Sequence, residues 1–418
     1  MKLTLIPYQL QFKYPFKIAH GTRTHTDVVY VKLEHEGLTA WGEATLPPYL
    51  PETQQSVISF LTAFTKPLLG QPIEDSVTAL AAVNDNLSAK AALDIALWDM
   101  RAQMAGKTIG GLLGIATKQY PYGTYTIGVG TAEQTKEKVD YAISEGFELF
   151  KIKLNGYLDE DKVEHYAACT DKPFAVDMNQ AWREAGRLLE FTNDFLAKYN
   201  CILVEQPLHK DAIADMRFLK GVTSLPVYAD ESCQRLSDIE RLRNSFDGIN
   251  IKLMKCGGIT EAMQMIKKAR ELNMQILIGC MSESSVGCTA AAHLTPLADY
   301  ADLDGPYLVA NDPFTGVKVK GGRIEVGELI QKDKKKLAAE ISKKQKEAKD
   351  IDAKIKRLIA AEIAEANKRN AAKTGTTAPK AGTKEASKFV LSAEGKVVSD
   401  NFKANKGKLP WPVVDGYI

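Results

Sequence analysis

The run Phe150-Lys151-Ile152-Lys153-Leu154 alternates apolar and basic residues. A β-strand sends successive side chains to opposite faces, so Lys151 and Lys153 share one face and their apolar neighbours share the other. Taken alone, the pair reads as an edge strand whose lysines deter pairing with other chains. The sequence downstream changes that reading, because four more short apolar runs each end in a charged residue. Phe174 to Met178 carries Asp177, with Asn179 just beyond. Ile202 to Val204 leads into Glu205, Val227 to Ala229 into Asp230 and Glu231, and Ile249 to Leu253 carries Lys252.

Outward from this run the pattern repeats. Thr124 to Ile127, Leu149 to Leu154, Phe174 to Met178, Ile202 to Val204, Val227 to Ala229, Ile249 to Leu253, Ile276 to Ile278 and Ala301 to Leu303 read as strands. Thr131 to Ser144, Asp159 to Ala168, Arg187 to Tyr199, Ala212 to Lys220, Ser237 to Arg243 and Thr260 to Leu272 read as helices between them. Eight strands at intervals of roughly 25 residues, with helices in the gaps, predict an α/β barrel over residues 116–328. An open, doubly wound sheet would call for a glycine-rich dinucleotide turn after the first strand. Gly128-Val129-Gly130 lacks the third glycine.

Residues 1–115 read differently, with strands such as Val28 to Leu33, the hairpin signal Glu36-Gly37, and then a helix from Ala89 to Met104 closed by Gly106. Strands followed by helices make this an α+β domain. A net charge of +2 on 418 residues argues against a general nucleic-acid binder, and 45% hydrophobic residues fill a large core. The six cysteines form no C-x-x-C pair, which fits reduced core thiols and a cytoplasmic protein. The N-terminus passes into the alternation Leu10, Phe12, Tyr14, Phe16, a first strand rather than a signal peptide. No apolar run approaches the length of about 20 residues that spans a bilayer, so no membrane partner is expected.

Barrel enzymes carry their chemistry at the C-terminal ends of the strands. Lys151, Lys153, Asp177, Glu205, Asp230 and Lys252 therefore converge on one mouth. Singly, each carboxylate reads more readily as a helix cap or a surface charge than as a metal ligand. Asp177, Glu205 and Asp230 on three adjacent strands form a hard oxygen site suited to Mg²⁺. Zinc is disfavoured, since no histidine or cysteine stands at the matching positions. Lys153 and Lys252 flank that site, an arrangement that serves proton removal from one face of a carbon and return to the other. A carbon acid beside a carboxylate is weak, so the site must stabilise an enediolate and keep a lysine neutral, with Lys151 beside Lys153 favouring the neutral form.

Lys151-Ile-Lys153, Asp177-Met-Asn179, Val204-Glu205-Gln206-Pro207, Ala229-Asp230-Glu231-Ser232 and Ile251-Lys252-Leu253-Met254-Lys255 together resemble the enolase superfamily, muconate lactonising enzyme subgroup. Ala92 to Asp99 and Gly111-Leu112-Leu113-Gly114 resemble the end of that subgroup's capping domain. The resemblance covers about residues 1 to 328. It implies an α+β cap over a modified (β/α)7β barrel, Mg²⁺ on Asp177, Glu205 and Asp230, and Lys153 with Lys252 as the acid/base pair.

Asp302-Leu303-Asp304 is similar to the aspartate pair with which dipeptide epimerases hold a substrate ammonium, and Ile251 to Gly258 is also close to their form. The resemblance implies epimerisation at the C-terminal residue of an alanyl dipeptide, with Asp302, Asp304, Arg23 and Ser282 as substrate-binding candidates. Where L-Ala-D/L-Glu epimerases place an arginine near the N-terminus, an ungapped reading from Pro15-Phe16-Lys17 gives Gly21, with His20 and Arg23 close by. Glutamate and hydrophobic dipeptides both stay open on that reading. An o-succinylbenzoate synthase or a muconate cycloisomerase uses the same metal site and lysines, but leaves Asp302 and Asp304 without an ammonium partner. The resemblance also allows a homo-oligomer and links the substrate to peptidoglycan dipeptides.

Residues 329–372 are lysine-rich with apolar residues three and four apart, the pattern of a charged helix or coiled coil. Residues 373–418 read as a flexible linker and a truncated-looking tail. Asn401 to Pro412 resembles the segment before the peptidase-like domain of murein hydrolase activators. That tail supplies a reading of another class, a cell-envelope scaffold with a passenger barrel. Two intact lysines beside three intact carboxylates speak against it.

Overall fold

In the computed structural model the described residues are 1–18, 21–68, 70–116, 119–156, 159–327 and 329–331, with 346, 350, 353–361 and 364–365 from the tail. The chain opens with an antiparallel sheet of β1 (Lys2–Ile18), β2 (Gly21–His35) and β3 (Leu38–Leu46). Glu36 and Gly37 turn β2 into β3 with φ of 49° and 81°, the left-handed pair that a two-residue type I′ hairpin requires. Helices α1 (Gln54–Thr65), α2 (Ile73–Ala81) and α3 (Leu87–Met104) follow.

Helix α3 is buried on two faces rather than one. Ala92, Leu93, Ala96, Leu97 and Met100 pack in the cluster against the sheet, while Ala91, Ile95 and Ala102 join the barrel core. Met104, the last residue of the helix, is 48% exposed. Sheet and helix touch backbone to backbone: a Cβ on Gly42 would lie 1.8 Å from the Ala92 carbonyl oxygen, so only glycine fits there.

After α4 (Ile109–Leu112) comes the barrel. Its strands are β4 (Thr124–Ile127), β5 (Leu149–Lys153), β6 (Phe174–Asp177), β7 (Cys201–Glu205), β8 (Val227–Ala229), β9 (Gly248–Lys252), β10 (Gln275–Gly279) and β11 (Tyr300–Asp302). They pair in chain order, all parallel, and a Gly123–Ala301 bridge brings the last strand round to the first. The helices are α5 (Ala132–Ser144), α6 (Glu160–Ala167), α7 (Ala185–Glu190), α8 (Ile213–Leu219), α9 (Ile239–Leu242), α10 (Leu253–Cys256), α11 (Ile259–Glu271), α12 (Ser285–Ala292) and α13 (Gly305–Leu308).

Strand parity sorts the barrel's side chains. Phe150, Ile152, Val176, Val204, Ile249, Ile251, Ile276 and Ile278 face the surrounding helices in the main core. Ala175, Leu203, Tyr228 and Leu277 form a separate small cluster, the lumen layer beneath the charged ends of the strands. Lys151 and Lys153 alternate with Phe150 and Ile152 and so belong to the lumen. Both are buried in a strand paired on each side, not exposed on an edge.

Two expected helices differ in detail. The stretch from Arg187 to Tyr199 passes from α7 into a π turn and a 3-10 turn, where the Thr192 hydroxyl donates back to the carbonyls of Leu188 and Leu189 and competes with the regular ladder. The stretch from Ser237 starts as a 3-10 turn, because the Asp238 carboxylate gathers the N–H groups of Gln234 and Arg235.

Carboxylates of the N-terminal part cap barrel helices. Asp94 on α3 accepts from the Thr260 N–H at 3.0 Å and the Thr260 hydroxyl at 2.5 Å, in the first turn of α11. Glu43 on β3 accepts from the N–H groups of Ser284 and Gly287, both at 2.9 Å, where α12 begins. Each puts negative charge on a helix N-terminus. Burial nevertheless pushes the Asp94 carboxyl up to about 6 and raises that of Glu43.

Of the tail, the described residues are helical, and Ile355, Leu358 and Ile359 are exposed. Most of the charged helix or coiled coil expected over 329–372, and all of the linker and tail of 373–418, lie outside the described residues.

Candidate active site

Strand register builds one charged layer. Lys153 stands opposite Asp177 and Asp177 opposite Glu205, while Gly279 pairs with both Lys252 and Asp302. Asp230 follows directly after β8. Asp177, Glu205 and Asp230 are all buried, and one oxygen from each lies within 4.8 Å of the others. The layer floors a cavity of about 570 Å³ that Lys151, Lys153, Asp230, Lys252, Asp302 and Asp304 line together with Arg23 and Ser282. Every site residue expected from the sequence thus meets in one place, and of them only Asp177 and Glu205 do not line the cavity itself.

The carboxylates and lysines interlock. Lys153 Nζ donates to Asp177 Oδ2 at 2.5 Å and to Asn179 Oδ1 at 3.2 Å. On the other side Lys252 Nζ donates to Asp230 Oδ2 at 2.8 Å. Between them Glu205 accepts from Asn250 Nδ2 at 2.6 Å, and Lys151 lies 3.5 Å from its other oxygen. Lys151 bonds chiefly to Asp302, whose second oxygen accepts from the Thr124 hydroxyl at 2.6 Å. Asp304 accepts the Thr126 N–H at 2.6 Å.

Burial raises the Glu205 carboxyl to about 7, helped by the charge of Asp177 and opposed by Lys151. Burial also acts on Asp230, yet Lys252 and Lys255 together hold it well below the usual carboxylate range. Burial by itself would lower the pKa of Lys151 and Lys252. Asp302, Glu205 and Asp177 overturn that for Lys151, and Asp230 and Glu205 for Lys252, so both rise well above ordinary lysine. The Lys151 charge faces three carboxylates. Asp304 is pushed up to about 6 by burial and by Asp302 beside it.

Arg23 reaches the cavity from β2, and its guanidinium lies 5.4 Å from the ring centre of Phe12 and 5.7 Å from those of Phe16 and Tyr49. Its Nε and Nη1 are buried without a hydrogen-bond partner. Gly21 is exposed at the start of the same strand, and His20 lies outside the described residues. Ser282 lines the cavity in a left-handed conformation, φ 70°.

The buried Lys255 and Asn250 and the part-buried Glu231 belong to the site as well, although the sequence assigns none of them a role. Lys255 Nζ donates to Asp230 Oδ1 at 2.6 Å and to the carbonyls of Asp230 and Asn250. It reaches the mouth because β9 turns straight into α10, bringing the residue three past Lys252 back over the barrel. Asn250 shares strand parity with Lys252, a signal present in the sequence. Glu231 lines the cavity, and its carboxyl is raised to about 8 by burial and the charges of Asp230 and Asp177.

Fold and site define a capped, eight-stranded parallel barrel whose mouth holds a carboxylate triad between two lysine-bearing strands. The chain belongs to the mandelate racemase / muconate lactonizing enzyme family: residues 1–114 match the model of its N-terminal domain and residues 134–328 match the enolase C-terminal domain-like model. It is 38% identical over 332 residues to the L-Ala-D/L-Glu epimerase of Bacteroides thetaiotaomicron, covering 79% of this chain and 86% of that protein. Among solved structures, it is similar to a substrate-liganded L-Ala-D/L-Glu epimerase from Bacillus subtilis, with TM-score 0.73 and 28% identity over 78% of this chain and 96% of the other. A dipeptide epimerase from Enterococcus faecalis, complexed with Mg and the dipeptide L-Leu-L-Tyr, matches with TM-score 0.71 and 29% identity over 79% and 98% of the two chains.

Proposed function

We propose that this chain is a Mg²⁺-dependent dipeptide epimerase that inverts the α-carbon of the C-terminal residue. The observation that carries the reading is the symmetry of the mouth: Lys153 and Lys252 flank Asp177, Glu205 and Asp230, each bonded to an outer carboxylate of the triad. The donor set fits the cation, being three buried carboxylates with no imidazole or thiolate among them. Asp177, Glu205 and Asp230 would hold the cation, which when bound would supply positive charge to offset the negative charge that grows on the substrate carboxylate. Lys153 and Lys252 then act from opposite faces of the α-carbon. One amine takes the proton as the C–H bond breaks, and the other ammonium delivers a proton to the opposite face. The lysine that serves as base starts neutral and its counterpart starts protonated, and the two exchange these roles according to which epimer is bound.

The cavity's other charges set the substrate. Asp302 and Asp304 suit the N-terminal ammonium of a dipeptide, with Asp304 facing it more freely because Asp302 is engaged by Lys151 and Thr124. Neither an o-succinylbenzoate synthase nor a muconate cycloisomerase gives these carboxylates a partner. Arg23, with unpartnered donors among aromatic rings, suits an acidic C-terminal side chain, as in L-Ala-L-Glu. Residues 1–115 act as the cap that carries Arg23, and 116–328 as the barrel that carries the chemistry. The six free cysteines are consistent with a cytoplasmic enzyme.

Incubating the protein with Mg²⁺ and alanyl dipeptides in D₂O puts deuterium on the C-terminal α-carbon and yields both epimers, fastest with an acidic C-terminal residue. No exchange across a dipeptide library refutes the assignment.

A further inference from the structure

We infer that Asn179 and Glu231 form a positioning pair for Lys153, in which the Asn179 amide links the lysine to the glutamate and fixes the direction of the amine. The inference rests on the two-lysine reading above and deepens it.

A neutral lysine amine has two N–H donors and one lone pair. At Lys153 two acceptors stand ready, Asp177 Oδ2 at 2.5 Å and Asn179 Oδ1 at 3.2 Å. With both N–H groups anchored, the lone pair has one remaining direction, into the cavity that Lys153 lines. Held by Asp177 alone, the amine at the end of four rotatable bonds pivots, and its lone pair sweeps past the reacting carbon.

An asparagine amide performs this task only in one of its two orientations, since the flipped form turns NH₂ donors toward the lysine. Glu231 selects the useful one. Asn179 Nδ2 donates to Glu231 Oε1 at 3.3 Å, and a carboxyl offers an acceptor there in either protonation state. The other oxygen, Glu231 Oε2, is buried with no hydrogen-bond partner, so the side chain is held in place chiefly through this contact. Asn179 is 8% exposed. Its backbone adopts a left-handed φ of 41° and donates its N–H to Asp177 Oδ1 at 3.0 Å. One residue thereby orients both Asp177 and the lysine that Asp177 binds. No equivalent amide stands at Lys252 among the described residues, where Asp230 is the hydrogen-bond acceptor.

A purely structural Asn179 needs only its backbone, which glycine supplies at positive φ. Asn179→Gly and Glu231→Ala are therefore compared with Glu231→Gln, which keeps an acceptor for the amide. The readout is the initial rate of α-proton exchange in D₂O, measured separately from L-Ala-L-Glu and L-Ala-D-Glu, with Lys153→Ala identifying the epimer whose proton faces Lys153. Expected are losses of roughly 10- to 100-fold from that epimer in Asn179→Gly and Glu231→Ala, and changes within about 3-fold from the other. Glu231→Gln keeps the wild-type ratio of the two rates. Equal fold losses from both epimers overturn the positioning role, as does a Glu231→Gln ratio shifted as far as that of Glu231→Ala. Absence of exchange from either epimer by the unsubstituted chain overturns the dipeptide reading and this inference with it.

Discussion

In the proposed reaction the two halves of the mouth perform matching tasks with different construction. On the β5–β6 half, Lys153 is held by Asp177 and by the neutral amide of Asn179, all within the barrel. On the β8–β9 half, Lys252 is held by Asp230, which Lys255 also grips through its other oxygen. That second half reaches into the N-terminal part as well, because Asp94 caps the α11 turn that follows β9 and α10. The difference teaches how a near-symmetric reaction is built on an asymmetric frame. Asp230 keeps a cation when Lys252 gives up its proton, whereas Asp177 depends on Lys151, 3.7 Å away, and on a backbone N–H.

The largest effect that breaks this comparison is expected from Lys255→Met. It leaves Asp230 buried with one counter-charge fewer, at a cost of about 4 kcal/mol measured by chemical unfolding without divalent ions. Mg²⁺ supplies charge at the same carboxylate, so it raises the melting temperature of Lys255→Met more than that of the wild type. An equal rise in both excludes the counter-ion role.

Next comes Asp94→Asn, which touches only the Lys252 half. The folded carboxyl sits at about 6 against an ordinary 3.8, so the folded state binds the proton more tightly than the unfolded chain. Stability from this group is present below about pH 4 and is lost as pH rises through about 6, by up to about 3 kcal/mol. Unfolding free energies of the wild type, taken relative to Asp94→Asn, fall across that window; a flat difference contradicts the assignment.

Smallest and most selective is Arg23→Met, which touches neither half. It lowers kcat/KM for an acidic dipeptide by about 30-fold and spares a hydrophobic one. A matching loss on both substrates removes Arg23 from the side-chain subsite.

Much of this was legible in the sequence because strand parity and barrel topology are strict. Once Lys151 and Lys153 shared a face and the strand-helix repeat was counted, Asp177, Glu205, Asp230 and Lys252 followed at the same level of the barrel. Strand boundaries fell within about a residue or two, as hydrogen-bonded ends fray. What stayed hidden depended on side-chain direction after the strands had ended. Lys255 lies on a four-residue helix whose turn back over the mouth has no periodic signal. Asp302 reads as a free partner for Asp304, and only the packed barrel reveals that Lys151 and Thr124 occupy it. Arg23 was ambiguous against Gly21 until the hairpin's direction put one side chain into the cavity. The breaks at Thr192 and Asp238 arise from side chains bonding to nearby backbone, which apolar spacing does not record.

The central claim is that Lys153 and Lys252 work on opposite faces of one carbon, and the direct measurement is α-proton exchange in D₂O by Lys153→Ala and Lys252→Ala. Each variant is predicted to lose epimerisation by at least about 1,000-fold while still exchanging one epimer, and the surviving epimer differs between the two. Exchange of the same epimer by both variants, or equal residual exchange of both epimers by either, contradicts it.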